Sequence, residues 1–325
     1  MTTWTVRLAL ASAVLATPML APAAPALAAD PQAEEISQID DPRIEESSGL
    51  AVSAVHDDVV YTINDRGSAP IVYAIAMSTG RVVGTTAVGG GEISDTESIA
   101  IDGEGTMWLA DLGDNDKERD DVALYAFDEP GPGDHSVTAE RYPVTFSDGP
   151  VDIEGFLVHP VTGAKYLASK EKKKQGALYA LPEELSTSEA NPAADLGRAL
   201  PEDVSDAAFI ADGSQALIRT RDAVHVFDPE TWTETGVLTV PTVEQGESIA
   251  MEPDGTSFLI GSEGKRSPLI RVSYDAGTAD DEKPASDGGD ASVSSDTIPA
   301  WWVVAGGLAA VVALAGIVWG LQRRR

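Results

Sequence analysis

The amino-acid sequence predicts an all-β fold and, within that class, a β-propeller of five four-stranded blades. Three observations carry this prediction: one sequence pattern recurs five times, its apolar segments have the length of strands, and helical periodicity is scarce. The acid that opens each copy lies 41 to 57 residues before the acid that opens the next. Propeller blades are roughly 40 to 50 residues long, which matches this spacing.

Each copy contains an acid, a small residue, an apolar strand, a turn with Gly or Asp, a second apolar strand ending in polar groups, a loop and a third strand. In the second copy, for example, Glu97 precedes Ser-Ile-Ala-Ile, and the second strand ends at Asp111. An outer fourth strand is predicted at 81–88, 139–146, 193–200 and 234–240. A closed array of such units leaves no exposed sheet edge at the axis.

The fifth copy lacks an outer strand of its own, whereas an unmatched apolar piece, 35–40, precedes the first copy. We therefore expect this N-terminal strand to complete the last blade and close the ring. Six blades are the alternative if the long interval between Glu97 and Glu154 contains degenerate strands. A two-sheet sandwich is a further alternative, since the number of strands alone does not distinguish the two folds.

The N-terminal residues have the layout of a secretory signal peptide. Residues 1–29 contain no acid and one base, Arg7, which precedes an apolar stretch and a run rich in Ala and Pro. Ala26 and Ala28 supply the small residues expected before a cleavage site, so we assign 1–28 to the signal peptide. An uncleaved N-terminal anchor is the alternative, and no basic segment follows the run to support it.

The charge-free segment 298–321 is long enough to cross a membrane as a helix. At 1.5 Å per residue it reaches about 36 Å, more than a hydrocarbon core of roughly 30 Å. Tryptophans near both ends match the aromatic belts of membrane interfaces, and the basic tail 322–325 predicts a cytoplasmic C-terminus. We expect a single-pass protein of the cell membrane with its N-terminal domain outside the cell.

The ectodomain is predicted to comprise a folded part, 30–275, and an acidic Gly/Ser stalk, 276–297. The stalk has too few apolar residues to offset its ordering entropy by burial, so we expect it to be disordered. The formal net charge of the chain is −31, which repels nucleic acid and excludes it as a partner. The absence of cysteine excludes disulfides, thiolate metal sites and a cysteine nucleophile.

Polar residues recur at two positions of the repeat, before the first strand and at the end of the second. In a propeller these positions share one face near the axis, where the first strands line the channel. The candidate axial site consists of Glu46, Asn64, Asp65, Glu97, Glu154, Lys170, Asp206, Arg219, Arg221, Glu247 and Glu263. The acids before the first strands have two possible roles: they accept hydrogen bonds from loop N–H groups, or they form a ligand site. The residues after the second strands differ between copies, which favours a site.

One loop is a candidate calcium site, because converging carboxylate and amide oxygens suit Ca²⁺. It contains the oxygen donors Asp111, Asp114, Asn115 and Asp116 within six residues. The alternative is an ordinary solvated turn, in which Asp, Asn and Gly are common. No motif of a serine hydrolase, a P-loop or a dinucleotide-binding turn is present, so catalytic residues are not identified.

The chain resembles a family of exported bacterial β-propellers, largely uncharacterised, that carry phytase-like or esterase-like domain labels. The residues that carry this resemblance are Glu46-Ser-Ser-Gly-Leu-Ala, Asn64-Asp65-Arg-Gly, Ala110-Asp-Leu-Gly-Asp-Asn, Glu129-Pro, Val204-Ser-Asp-Ala-Ala-Phe, Gln245-Gly-Glu-Ser-Ile-Ala and Gly261-Ser-Glu-Gly-Lys-Arg-Ser-Pro. The family usually has an aromatic residue in place of Thr96 and His in place of Ile63. The resemblance implies Ca²⁺ held by carboxylates, which would position a phosphate and activate water.

These observations predict a cell-surface, membrane-anchored propeller that acts as an extracellular ligand-binding or scaffold module. The expected partner is an extracellular small molecule or protein, bound at the carboxylate-rich axial site. The alternative is a Ca²⁺-dependent phosphoester or ester hydrolase, in which Lys170, Arg219 and Arg221 would hold the anionic substrate. A purely structural surface protein is the third interpretation.

Overall fold

The computed structural model describes residues 32–65, 67–171 and 173–276. Within these ranges the chain folds into 21 β-strands and contains no α-helix, which confirms the all-β prediction. The predicted signal peptide and membrane helix, and the stalk beyond residue 276, lie outside the described residues. A search of the described residues finds no helix that is long and apolar enough to cross a membrane.

The strands alternate with short turns along the whole described chain. In order they are β1 Ala33–Ile39, β2 Ser47–Val52, β3 Val59–Asn64, β4 Ile71–Ala76, β5 Arg81–Gly89, β6 Ser98–Ile101, β7 Thr106–Asp111, β8 Val122–Asp128, β9 Gly133–Thr138, β10 Glu140–Phe146, β11 Ile153–Val158, β12 Lys165–Ser169, β13 Gln175–Ala180, β14 Asn191–Glu202, β15 Val204–Phe209, β16 Ala216–Thr220, β17 Ala223–Asp228, β18 Thr233–Thr239, β19 Gly246–Met251, β20 Ser257–Ser262 and β21 Ser267–Ser273.

The burial of a strand depends on its place in the sheet. The strands β3, β4, β7 and β8 are buried along nearly their whole length. They have continuous apolar runs because both of their faces are covered. The outer strands β5 and β18 include exposed residues at alternating positions, as expected when one face meets solvent.

Five antiparallel groups of four strands recur along the chain. Four groups follow chain order: β2-β3-β4-β5, β6-β7-β8-β10, β11-β12-β13-β14 and β15-β16-β17-β18. The fifth group is β19-β20-β21-β1, and β1 pairs with β21 from Ala33 opposite Val272 to Ile39 opposite Ser267. The prediction that an N-terminal strand completes the last group is therefore confirmed.

One strand was not predicted from the sequence. β9 lies in the long interval between Glu97 and Glu154, just before the outer strand β10, and pairs in parallel with β5 of the first group. A parallel pair between β10 and β14 joins two further groups into one eight-stranded sheet. The extra residues of this interval thus extend the edge of an existing sheet.

The first strands of the five groups contact one another in a closed cycle. β2 contacts β6 and β19, β11 contacts β6 and β15, and β15 contacts β19. We call β2, β6, β11, β15 and β19 the inner strands. This cyclic arrangement of antiparallel groups around an axis is a β-propeller-like fold.

Two glycines allow the inner strands to approach closely. A Cβ atom at Gly49, where φ is +68°, would lie 2.9 Å from the backbone nitrogen of Ile99 on the next inner strand. A Cβ atom at Gly155 would lie 2.9 Å from the Cβ atom of Ala207. A larger residue at either position would push neighbouring inner strands apart and widen the axis.

Candidate axial site

Antiparallel pairing places the start of each inner strand beside the end of the second strand of its group. Ser98 pairs with Ala110, Gly246 pairs with Ser262, and Lys170 donates its backbone N–H to the carbonyl oxygen of Asp152. Side chains before the inner strands therefore lie near side chains after the second strands. We call this the polar end of the axis, and its central residues are Asp65, Asp95, Glu97, Glu154, Lys170, Glu247 and Glu263.

Glu97 lies at the centre of the buried acids at this end. Carboxylate oxygens of Asp65, Asp95 and Glu97 lie within 4.8 Å of one another, and the side chain of Glu97 is only 4% exposed. Its Oε1 has no hydrogen-bond partner among the described residues. Burial raises the pKa of Glu97 well above its usual range, and the nearby carboxylates of Glu154, Asp65 and Asp95 raise it further.

Glu154 and Lys170 form a buried pair next to this group. The Nζ atom of Lys170 donates a hydrogen bond to Oε1 of Glu154 at 2.9 Å. Burial raises the pKa of Glu154, and the ammonium group of Lys170 opposes this effect. Burial alone would lower the pKa of Lys170, but Glu154, Glu247 and Glu97 outweigh it, so the pKa is raised and the ammonium is retained.

Glu247 and Glu263 are half-buried and complete the polar end. Burial raises the pKa of Glu263 to about 7, and the carboxylates of Glu247, Asp65 and Glu46 add to the effect. Burial also raises the pKa of Glu247, although Lys170 opposes it. Negative charge is therefore crowded at this end and only partly neutralised by the lysine.

Asp206 connects the inner strands β6, β15 and β19 through hydrogen bonds. Its Oδ1 accepts a hydrogen bond from the hydroxyl of Ser98 at 2.8 Å, and its Oδ2 accepts one from the backbone N–H of Ile249 at 2.9 Å. It is 1% exposed, and burial raises its pKa to about 8 despite these hydrogen bonds. This acid has the hydrogen-bonding role that the sequence allowed for the acids before the inner strands.

Arg219 is completely buried beside Asp206 on the paired strand β16. Its Nε, Nη1 and Nη2 atoms have no hydrogen-bond partner among the described residues. Burial lowers its pKa to about 10, while Asp206 and Glu247 oppose the shift. The guanidinium packs against Gly246, where a Cβ atom would lie 2.4 Å from Nη2. From its position on β16, Arg219 therefore offsets the negative charge of Asp206 and Glu247.

The carboxylates of the predicted calcium loop accept hydrogen bonds from the protein itself. Oδ1 of Asp111 accepts from the backbone N–H groups of Ser94 and Asp95 at 3.0 and 2.7 Å, and Oδ2 accepts from Arg119 at 2.8 Å. Asp114 accepts from the backbone N–H groups of Glu118 and Arg119. These two acids hold the loop in shape.

The other residues of that loop are more open, with Asn115 half-buried and Asp116 exposed. Among the described residues, the three carboxylates close enough to share an ion belong to Asp65, Asp95 and Glu97. Calcium binding by the loop 111–116 stays a prediction.

The remaining candidate residues lie towards the rim. Glu46 is exposed, and its backbone N–H donates to Oδ1 of Asn64. Asn64 in turn donates to the backbone carbonyl of Arg43 at 2.7 Å, so its amide bridges two backbone segments. Arg221 is exposed.

Two buried acids of this region were not singled out from the sequence, Asp95 and Asp152. Asp95 belongs to the close group around Glu97, and Asp152 accepts a hydrogen bond from the backbone N–H of Asp114 at 2.8 Å. Both stand two residues before a repeat acid, so an Asp-x-Glu spacing occurs in two copies. That spacing is the signal that could have identified them.

The opposite end of the axis is mostly apolar, although Asp102 and Glu252 also line its cavity. A cavity of about 270 Å³ is lined by the second halves of all five inner strands. Its wall includes Leu50, Ile99, Phe156, Ala207 and Ile249. The carboxylates of the polar end do not line it.

No family model matches the chain, and no curated protein matches it in sequence. A solved chain from the structure titled "Crystal structure of Nidogen/Laminin Complex" is similar with a TM-score of 0.43 and 17% sequence identity. The similarity covers 66% of this chain and 72% of that chain.

Proposed function

We propose that the protein is a cell-surface binding module, built as a five-bladed propeller and held at the membrane by one C-terminal helix. Five antiparallel groups with inner strands in a closed cycle support the blade number. The charge-free segment 298–321 and the signal-peptide layout of 1–28 support export and anchoring. The polar end is the binding surface of this proposal.

The ligand of the polar end carries positive charge. The observation that supports this is the crowding of Glu97, Glu154, Glu247 and Glu263 around one ammonium group, that of Lys170. Like charges held close by a rigid scaffold raise one another's pKa, and a bound cation lowers the free energy of their ionised forms. The net charge of −31 also attracts cations from a distance.

A binding role is better supported than phosphoester hydrolysis. An anionic substrate needs free cationic groups, but Lys170 is 2.9 Å from Glu154 and Arg219 is completely buried. Arg221 is exposed, but it stands beside the acids of the polar end. Hydrolysis would therefore require a metal ion to offset the negative charge.

The proposal is tested by binding of a short oligolysine to the purified full chain in detergent. We expect binding that weakens as salt is added and that weakens further in Glu247→Gln and Glu263→Gln, because each change removes one carboxylate from the polar end. An oligoglutamate of equal length should not bind. Fluorescence anisotropy of labelled peptides measures all of these affinities in the presence of a chelator.

The matched control is Glu183→Gln, which removes one exposed carboxylate from the loop between β13 and β14. It changes the net charge by the same amount and leaves the polar end intact. If Glu183→Gln weakens oligolysine binding as much as Glu263→Gln does, the attraction belongs to the whole surface and a specific cationic ligand at the polar end is ruled out.

The anchoring part of the proposal has its own test. Protease added to intact cells should release a soluble fragment that ends between residues 276 and 297, because the predicted stalk is outside the cell and too polar to fold. Mass spectrometry of the released fragment locates the cut. An ectodomain that is cleaved only after cell lysis would show that the proposed orientation is wrong.

A further inference from the structure

We infer that Asp65, Asp95 and Glu97 form a binding site for a divalent cation, and that Ca²⁺ is the ion that suits it. The inference deepens the proposed function, since it assigns an ion to the same polar end. It concerns different residues from the loop 111–116 that the sequence suggested.

The spacing of the oxygens fits one shared ion. Ca²⁺ binds oxygen at about 2.3–2.6 Å, so two of its ligand oxygens are at most about 4.6–5.2 Å apart. One carboxylate oxygen from each of Asp65, Asp95 and Glu97 lies within 4.8 Å of the others. The three side chains can therefore bind a single ion with little rearrangement.

The buried side chain of Glu97 also points to a bound cation. Its side chain is 4% exposed, and Oε1 has no hydrogen-bond partner among the described residues. A buried carboxylate oxygen without a partner is costly in free energy, and nearly all such groups in folded proteins have one. Since Glu97 belongs to the close group of three acids, a cation there would supply the absent interaction.

Gly113 provides the space in which these carboxylates meet. A Cβ atom at this position would lie 2.4 Å from Oε1 of Glu97 and 2.9 Å from Cγ of Asp95. Any larger residue would displace the two carboxylates. The backbone of Asp95 is held from behind, because its N–H donates to Asp111 and its carbonyl accepts from the N–H of Gly113. The backbone of Asp95 is thus positioned before an ion arrives.

The chemistry of the donors selects the class of ion. All three are carboxylates, which are hard oxygen ligands, and the chain has no cysteine. Ca²⁺ accepts six to eight oxygens and is commonly bound by several protein carboxylates, whereas Mg²⁺ retains several waters and uses only one or two. Backbone carbonyls and water would complete the Ca²⁺ shell.

The test is calorimetric titration of Ca²⁺ into the purified, chelator-treated full chain. The wild type should bind Ca²⁺ with a dissociation constant near the range of extracellular modules, roughly 10⁻⁴–10⁻³ M. Asp65→Asn and Glu97→Gln should each weaken binding by about tenfold or more, since changes even to indirect metal partners have effects of that size. Asp116→Asn is the control, because it removes one exposed carboxylate of the loop that the sequence suggested and leaves Asp65, Asp95 and Glu97 unchanged. Mg²⁺ should bind more weakly to the wild type.

Circular dichroism without Ca²⁺ establishes that each variant is folded. If Glu97→Gln does not fold, Asp65→Asn decides the test, because Asp65 is only half-buried. Absence of Ca²⁺ binding by the wild type would overturn the inference. So would wild-type affinity in both site variants, or a loss confined to Asp116→Asn, which would assign the ion to 111–116. Because oligolysine binding is measured with a chelator present, the two proposals can fail separately.

Discussion

The two ends of the axis are made by the same five inner strands and yet differ in chemistry. At the polar end, acids occupy the residues just before or within the first positions of each strand, as in Glu97, Glu154 and Glu247. At the other end, the later residues of the same strands, such as Ile99 and Phe156, surround a mostly apolar cavity of about 270 Å³. Each inner strand thus changes from polar to apolar within a few residues.

Hydrogen bonds join neighbouring inner strands at the polar end. Ser48 donates its hydroxyl to the backbone carbonyl of Glu97, and Asp206 accepts from Ser98 and Ile249. These bonds fix the inner strands relative to one another at the polar end. The carboxylates there can remain crowded because the strands that carry them are held in place. The apolar halves stabilise the fold by burial instead. In the proposed function, binding therefore belongs to the polar end of each inner strand, whereas the other end contributes to stability.

The largest expected effect comes from changing the apolar end. Phe156 is 1% exposed, lines the cavity and packs near Trp108 with ring centroids 6.3 Å apart. Phe156→Ala should lower the free energy of unfolding by about 3–5 kcal/mol, because it removes a buried aromatic ring and enlarges a void. Denaturant unfolding of the full chain measures this change. Val55→Ala is the control, because Val55 is 70% exposed and should change stability little.

The comparison also predicts what Phe156→Ala leaves intact. Under conditions in which the variant is folded, its affinity for oligolysine should equal that of the wild type, because Phe156 does not belong to the polar end. A variant that is nearly as stable as the wild type would show that the cavity wall contributes little. A folded variant with impaired binding would show that the two ends are coupled.

Much of the fold could be predicted from the sequence because strand periodicity and turn residues are local signals. The five repeat acids located the inner strands, and the unmatched segment 35–40 was correctly assigned to the last group as β1. β9 was missed because Gly133–Thr138 contains Asp and His and is largely exposed, so it has no apolar pattern. Its parallel pairing with β5 is a non-local contact that the sequence does not reveal.

The site was predictable only in part. The repeat identified Glu97 and Glu154, since their positions follow from the strand pattern, whereas the calcium site predicted at the densest acidic loop, 111–116, stays a prediction. Asp111 and Asp114 accept hydrogen bonds from nearby backbone N–H groups, and such bonds depend on loop conformation and not on composition. Asp95 was missed because its closeness to Asp65 arises from contact between neighbouring groups.

At the polar end we expect a smaller change for each pH unit: stability falls as pH rises, and Asp206 isolates one part of this fall. Burial raises its pKa in the folded protein to about 8 from an ordinary value of 3.8. Between these values the folded state holds a proton that the unfolded state has lost. The stabilisation is therefore complete below the unfolded pKa and is lost as pH rises towards the folded one, by up to about 1.4 kcal/mol per pH unit for one proton.

Asp206→Asn should flatten this dependence, because the amide does not titrate, although Arg219 beside it then loses its nearest carboxylate. Denaturant unfolding of both proteins with a chelator present, from about pH 5 to about pH 8, gives the difference between the two slopes. Asp212→Asn is the control: hydrogen bonds from Ser214 lower the pKa of this exposed acid, so its contribution is lost only at acid pH, below that window. Parallel slopes for wild type and Asp206→Asn would mean that Asp206 is ionised in the folded protein. Its carboxylate would then be stabilised at the polar end despite its burial.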